Sequence, residues 1–350
     1  MIQSIKGRGA SSNPVNRFHD LITTADETEL ESVQKPCTEV YEQSAKTVIS
    51  RNNSPDVPHD QSVNPYAGCE HGCVYCYARP THAYHDLSPG LDFETKIIAK
   101  TNAVDILEKE ISSPSYKCKP ILLGANTDPY QPIEKDYELT RKLLQLCLKK
   151  NQPVSLITKS ALIERDLDVL SELASRGLSS VRMSITTLDN DLKRKLEPRT
   201  ASGDSRLSTV SKLVAEGVPT GVLIAPVIPS INDHEIEAIL TASKSAGATS
   251  ANYILLRLPL EVKEMFQEWL TFHYPQRAKH VLSLIEQSRG GRLYNASFNQ
   301  RMTGEGVFAE MIAKRFMNAC RREGLKVDMT EKLNCSLFSI EAANHQMSLF

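Results

Sequence analysis

Three cysteines fall within eight positions of the string NPYAGCEHGCVYCYARP (residues 64–80): Cys69, Cys73 and Cys76, in the spacing C-x3-C-x2-C. With 8 cysteines in 350 residues, random placement gives this spacing in roughly 0.004 of such chains, so a shared task for the three thiols is favoured. Thiols this close together read as metal ligands or redox groups. A structural zinc site closes with four ligands, and the fourth here would be His71, His82, His85 or a distant cysteine. Iron–sulfur clusters are also thiolate-bound, but the common ferredoxin run is C-x2-C-x2-C. Three protein ligands on a four-iron cluster leave one iron open. The other five cysteines, Cys37, Cys118, Cys147, Cys320 and Cys335, are scattered. Cys147 falls on an apolar helical stripe, where a cysteine acts as a small core residue.

The elements that must position the cysteines follow a repeated pattern. Residues 1–55 are polar and lack sustained periodicity until a short stretch around KTVISR, so they read as a partly flexible N-terminal extension. From residue 56 to about 260, short β-branched or apolar runs alternate with amphipathic helical segments. The strand candidates are SVNPYAG, KPILLGA, PVSLITK, SSVRMSIT, PTGVLIAP and ANYILLR. Between them NAVDILEKEIS, EKDYELTRKLLQLCLKK, RLSTVSKLVAEG and NDHEIEAILTASKSAG space their apolar residues three and four apart. Asn232 is placed to cap the last of these. Six β/α units in series predict a parallel sheet with right-handed crossovers, either open and doubly wound or a partial barrel. Beyond residue 260 the chain turns helical, and residues 289–326 carry eight Lys or Arg against three Glu. That surplus suits a solvated helix face or a phosphate-binding surface.

Composition sets outer limits. Hydrophobic content of 41%, charged content of 24% and a net charge of −1 describe an ordinary globular chain with no global attraction to nucleic acid or anionic lipid. The N-terminus lacks the continuous apolar stretch of a signal peptide, and the longest apolar run, VLIAPVIP at 222–229, is too short to span a bilayer. These features predict a cytoplasmic protein without a membrane partner, whose clustered cysteines are metal ligands or redox groups rather than disulfides.

C-x3-C-x2-C with an aromatic, Tyr75, just before the last cysteine resembles the signature of the radical S-adenosylmethionine (SAM) superfamily. The longer strings GCEHGCVYCYARP, ILLGANTDPYQPIE, SLITKSALIERDLDVL, SVRMSITTLD and LEPRT resemble the spore photoproduct lyase-related, DNA repair photolyase-like group within it. The resemblance spans roughly residues 60–260. It implies an α/β fold, a partial (β/α)6 barrel with an N-terminal extension and a C-terminal helical segment. It further implies a [4Fe-4S] cluster on Cys69, Cys73 and Cys76, whose open iron chelates the amino and carboxylate groups of SAM. One electron then yields a 5′-deoxyadenosyl radical.

The same resemblance assigns roles by position. Gly124, Asn126, Thr127 and Asp128, at the end of the second strand, would contact the methionine part of SAM. Lys159, past the third strand, matches the lysine on the SAM carboxylate, and Ser184 on the fourth matches the ribose position. Glu197 and Arg199 in LEPRT would hold ribose or carboxylate. Tyr75, the motif aromatic, counts among the cofactor contacts, and Tyr77 would cover the adenine; residues 225–229 would line the adenine by packing rather than by a motif. His71 would reach a cluster sulfide if it does not lie on the surface, and His82 and His85 are substrate candidates by proximity alone.

A nucleic-acid substrate and an electron donor such as flavodoxin or ferredoxin are the partners so implied. One departure stands out. Spore photoproduct lyases return a hydrogen atom from a cysteine near the end of the second strand, where this chain reads Leu123, Gly124, Ala125, Asn126. Three other readings stay open: a radical SAM enzyme acting on a protein or small molecule, a cluster used only for electron transfer, and, as the competing class, a non-enzymatic zinc-braced nucleic-acid-binding module.

Overall fold

The computed structural model describes residues 5–18, 37–327 and 332–339. Of the polar N-terminal stretch, residues 1–4 and 19–36 lie outside the described residues. In chain order the strands are β1 (Glu39–Gln43), β2 (Ile49–Arg51), β3 (Gln61–Val63), β4 (Tyr66–Ala67), β5 (Lys96–Lys100), β6 (Ile121–Leu123), β7 (Val154–Thr158), β8 (Ser179–Ser184), β9 (Thr220–Val227) and β10 (Ser250–Leu255). The helices are α1 (Leu91–Thr95), α2 (Ala103–Ile111), α3 (Glu134–Tyr137), α4 (Leu139–Lys149), α5 (Leu167–Ser175), α6 (Asn190–Leu196), α7 (Gly203–Ala215), α8 (Ile236–Ser245), α9 (Val262–His273), α10 (Ala278–Gln287) and α11 (Gly306–Glu323).

Seven strands form the main sheet in the order β10-β9-β8-β7-β6-β3-β2. All neighbours are parallel except β2 and β3. The six parallel strands therefore follow chain order without reversal. A doubly wound sheet reverses at a switch point, so the unreversed order selects the partial barrel. Each of the six strand candidates contributes one of these strands.

Both faces of the sheet are buried, and strand periodicity assigns them. Along β8, SSVRMS, every residue is buried. Val181 and Met183 enter the main apolar core with the surrounding helices, while the alternate residues Arg182 and Ser184 turn inward. On β9, Val222 and Ile224 face the helices, whereas Leu223 and Ala225 face the barrel interior. Helices supply the outer layer with apolar stripes. Leu107 and Ile111 of α2 and Leu143, Leu144 and Cys147 of α4 are almost fully buried, each large apolar side chain contributing about 1.5–3 kcal/mol of transfer free energy.

Two local expectations change. The long segment EKDYELTRKLLQLCLKK is not one helix, because Glu138 adopts φ 51° and separates α3 from α4. Asn232 makes no side-chain cap. It is buried, accepts from the Ile228 N–H at 2.6 Å, and donates to the Thr186 and Pro226 carbonyls at 2.7 and 2.9 Å. It thus ties the ends of β8 and β9 together. A second sheet, β1-β5-β4, packs beside the cysteine loop.

Candidate functional site

The cysteine loop is held by backbone geometry before any metal is considered. Gly68 and Gly72 sit at φ 79° and 67°, and a Cβ on Gly72 would stand 2.8 Å from a Glu94 carboxylate oxygen. Cys69 N–H donates to the Phe93 carbonyl at 2.8 Å and Val74 N–H to Leu196 at 3.1 Å. Arg79 is fully buried. It donates to the carbonyls of Cys73, Pro89 and Gly90 at 2.9–3.0 Å and pairs with Glu94 at 2.5 Å. Glu94 in turn accepts the N–H groups of Gly9 and Ala10, so residues near the N-terminus lock the loop from outside.

Cys69, Cys73 and Cys76 face a cavity of about 610 Å³ at the carboxyl ends of the parallel strands. It is lined by Tyr75, Tyr77, Gly124, Asn126, Thr127, Asp128, Lys159, Ser184, Ala225 and Pro226, among others. This is where β/α folds build their sites, because the strand-end loops converge there. Burial, the Glu197 carboxylate and the two neighbouring thiols push the Cys73 thiol well above its ordinary value. Burial and Cys69 raise Cys76 in the same direction. Protons held this firmly leave when a cation replaces them. Among the described residues no three His, Cys, Asp or Glu side chains are grouped to hold a single ion. A four-iron cluster takes each thiolate on a different iron, so its ligands need not meet at one point. Donor set and spacing fit that group.

Around the cysteines, polar side chains fall into sharply different states. Gly124, at φ 97°, runs so close to β7 that a Cβ would lie 2.2 Å from the Ile157 carbonyl oxygen. The next turn is tied to Asn64, whose Oδ1 accepts the Asn126 N–H at 3.0 Å and the Thr127 N–H at 3.4 Å. Asp128 lines the cavity, yet its oxygens are engaged internally. They accept from Thr158 Oγ1 at 2.7 Å, Lys159 N–H at 2.8 Å and Tyr130 N–H at 2.9 Å. Burial alone would raise its pKa, but the His71 imidazole and these donors hold it down at about 2. Asp128 thus clamps the ends of β6 and β7.

His71 is not on the surface: it is 3% exposed, with Nδ1 3.3 Å from Asp128 Oδ2. Burial opposes its charge, but Asp128 and the Cys69 thiol outweigh burial and raise its pKa to about 10.

Lys159 donates to Ser184 Oγ at 2.8 Å and stands 3.8 Å from Glu197 Oε1. Glu197 is fully buried and does not open to the cavity. It accepts from Tyr75 OH, from Thr186 Oγ1 at 2.6 Å and from Arg206, itself buried. Arg206 and Lys159, with those hydroxyls, overcome burial and hold Glu197 at about 2. Arg199 does not line the cavity; it pairs with Glu70 at 3.0 Å, and its N–H donates to the His71 carbonyl. His82 packs edge-on against Phe93, with centroids 5.5 Å apart, and neither it nor His85 lines the cavity. Cys118, ahead of β6, donates to Gln152 at 3.8 Å and contacts Cys335, away from the cavity.

Sequence reasoning missed Arg257, which follows β10 and lines the same cavity. The signal was available, since Lys159, Ser184 and Arg257 are all polar residues at the carboxyl edge of a barrel strand. The basic surplus of residues 289–326 is partly spent inside the fold. Arg289 is buried on the carbonyls of Leu255, Leu256 and Gln300, Arg301 pairs with Asp56 at 2.6 Å, and Arg315 pairs with Glu237 at 2.7 Å.

A partial β/α barrel with three loop cysteines facing its carboxyl-end cavity fits a cluster-binding protein of the radical SAM class. The family comparison gives the same answer, matching residues 63–242 to the Radical SAM superfamily, and the chain belongs to that superfamily. Its cofactors are the [4Fe-4S] cluster and SAM. An uncharacterized protein of Mycobacterium tuberculosis is 35% identical over 67% of this chain and 70% of its own length. The fold is similar to that of spore photoproduct lyase complexed with dinucleoside spore photoproduct, with a TM-score of 0.61 at 16% identity, covering 82% of this chain and 81% of that one. A spore photoproduct lyase mutant with bound AdoMet and dinucleoside spore photoproduct gives 0.57 at 18% identity with the same coverage. No helix among the described residues is long and apolar enough to cross a membrane.

Proposed function

We propose that this chain holds the cluster on Cys69, Cys73 and Cys76, binds SAM in the adjoining cavity, and takes a hydrogen atom from a nucleic-acid substrate. When bound, the reduced cluster and SAM supply a 5′-deoxyadenosyl radical. The carrying observation is that the three-cysteine loop and the Lys159–Ser184 pair line one cavity of about 610 Å³, large enough for a cofactor and part of a substrate. Lys159 has donor capacity beyond Ser184 and binds the SAM carboxylate, Ser184 the ribose. Gly124, Asn126 and Thr127 shape the wall along the methionine part, while Asp128 orients that wall from behind. Tyr75 fixes the loop through Glu197, and Tyr77 covers the adenine. The protein's share is orientation and exclusion of water. An external one-electron donor such as flavodoxin or ferredoxin completes the balance: SAM plus one electron gives methionine and the radical, which becomes 5′-deoxyadenosine on gaining the substrate hydrogen. The nucleic-acid reading draws support from the lyase similarity and from the lesion bound in those structures. The end of β6 lacks a thiol, so any hydrogen return to substrate uses another donor.

The test is anaerobic. Protein reconstituted with iron and sulfide, given dithionite and SAM, should release 5′-deoxyadenosine, and the C69A/C73A/C76A variant should release none above background. Addition of lesion-bearing DNA or RNA should then accelerate release. A fully loaded cluster without product would redirect the assignment to electron transfer, and a colourless zinc-loaded protein would make the cysteines structural.

A further inference from the structure

Away from the cysteines and His71, five charged side chains line the cavity: Asp56, Asp128, Lys159, Arg257 and Arg301. Asp56 is neutralised by Arg301 at 2.6 Å, and Asp128 by His71 at 3.3 Å. Two cations remain. Lys159 has only a 3.8 Å approach to Glu197, which is already paired with Arg206. Arg257 has no carboxylate within ion-pair distance among the described residues. Its Nη1 meets the Met302 sulfur at 3.6 Å, its guanidinium lies 4.9 Å from the Tyr77 ring centroid, and its Nε is buried without a hydrogen-bond partner. Arg289, close enough to feel Arg257 electrostatically, is held on backbone carbonyls and adds to the positive potential. A sulfur and an aromatic face are weak partners for a guanidinium, and a buried N–H without an acceptor costs free energy.

SAM carries one carboxylate. If Lys159 takes it, the second cation serves a second anion. We propose that Arg257 is a substrate-binding residue that seats a phosphodiester of single-stranded nucleic acid, next to the nucleotide presented to the radical. This rests on the nucleic-acid reading above and names the subsite within it. Guanidinium geometry suits a phosphate through two parallel N–H donors. Tyr77 bridges the site: its hydroxyl donates to the Ala125 carbonyl after β6 while its ring touches Arg257 after β10. The phosphate seat therefore lies beside the residue adjoining Cys76, at the reacting end of the cavity.

The experiment uses the reconstituted full chain and a fluorescein-labelled ten-nucleotide mixed-sequence single-stranded DNA, read by fluorescence anisotropy over a salt series. Wild type should bind with an affinity that falls as salt rises. Arg257→Ala should weaken binding about tenfold and reduce the salt slope by about one, and Arg257→Lys should recover part of the affinity. A methylphosphonate DNA, neutral along its backbone, should bind wild type and Arg257→Ala equally. Equal binding of the ordinary DNA by both proteins would overturn the proposal while leaving the nucleic-acid reading intact. A tenfold loss of SAM affinity in Arg257→Ala would place the residue on the cofactor and also overturn it. Failure of wild type to bind the DNA would overturn both.

Discussion

Two groups of polar side chains adjoin the same cavity, and they differ in what is left over. Around Glu197, Tyr75, Thr186, Thr200 and Arg206 all donate to one buried carboxylate, and both members of its ion pair are essentially inaccessible. Around Lys159 and Arg257, donors outnumber acceptors, and the side chains stand at the cavity wall. A satisfied network fixes geometry, and an unsatisfied one awaits a ligand. LEPRT illustrates the trap: its charged residues adjoin the site in sequence, yet Glu197 is consumed within the scaffold and Arg199 by Glu70.

The largest effect expected from this contrast is on the closed group. Glu197→Ala leaves Arg206 buried and unpaired, a change that costs about 3–5 kcal/mol, and should lower the thermal midpoint steeply or prevent folding. Arg206→Met/Glu197→Leu, which removes both charges, should recover much of that loss. Urea unfolding of the metal-free chains checks both. If Glu197→Ala kept wild-type stability but lost SAM binding, the two groups would have to be exchanged in role.

Lys159 provides the converse. Lys159→Ala removes a partly exposed donor whose partners, Ser184 and Glu197, retain other contacts, so the unfolding midpoint should move little, on the order of 0.5 kcal/mol. SAM affinity should fall about 10- to 100-fold, the loss of one charge-assisted contact worth roughly 1.5–3 kcal/mol. Equilibrium dialysis of reconstituted protein against SAM makes the measurement. Unchanged affinity with lowered stability would put Lys159 in the closed group.

The difference between the two groups also explains how much the sequence disclosed. Cys69, Cys73 and Cys76 are legible as a group because their spacing is local, and the fold turns all three toward one cavity. The six barrel strands are legible because each is a short apolar run bounded by a helical period. The sheet β1-β5-β4 was not, because KIIAK directly follows the short helix LDFET and pairs with EVYEQ, 57 positions upstream (Glu39 to Lys96). EVYEQ is mostly exposed and lacks a buried face to mark it. Arg79 and Glu94 bracing the cysteine loop, and His71 buried on Asp128, depend on contacts between distant turns that no spacing encodes. Asp128 could be placed at the strand end but not relieved of a ligand role, since its engagement depends on Thr158 and Lys159 of the neighbouring strand. Arg257 stood at the right edge of the sheet, and only its missing carboxylate distinguishes it from an ordinary strand-end arginine.

A pH titration gives the sharpest form of the comparison, with a smaller effect. Glu197 sits at about 2 in the fold, against an ordinary glutamate value near 4.3 in the unfolded chain. A depressed carboxylate contributes stability that is complete above about pH 4.3 and is lost as pH falls toward 2, because the unfolded state takes up the proton first. At pH 3 the loss from this residue should be on the order of 1–2 kcal/mol. Glu197→Gln, less stable at neutral pH, should lack this increment of acid sensitivity, so the wild-type and variant curves should approach each other between pH 5 and 3. Urea midpoints of the metal-free proteins across that range would reveal it. Parallel curves would mean that the carboxylate is not held ionised by Arg206 and Lys159, and the closed group would then be no more committed to structure than the open one.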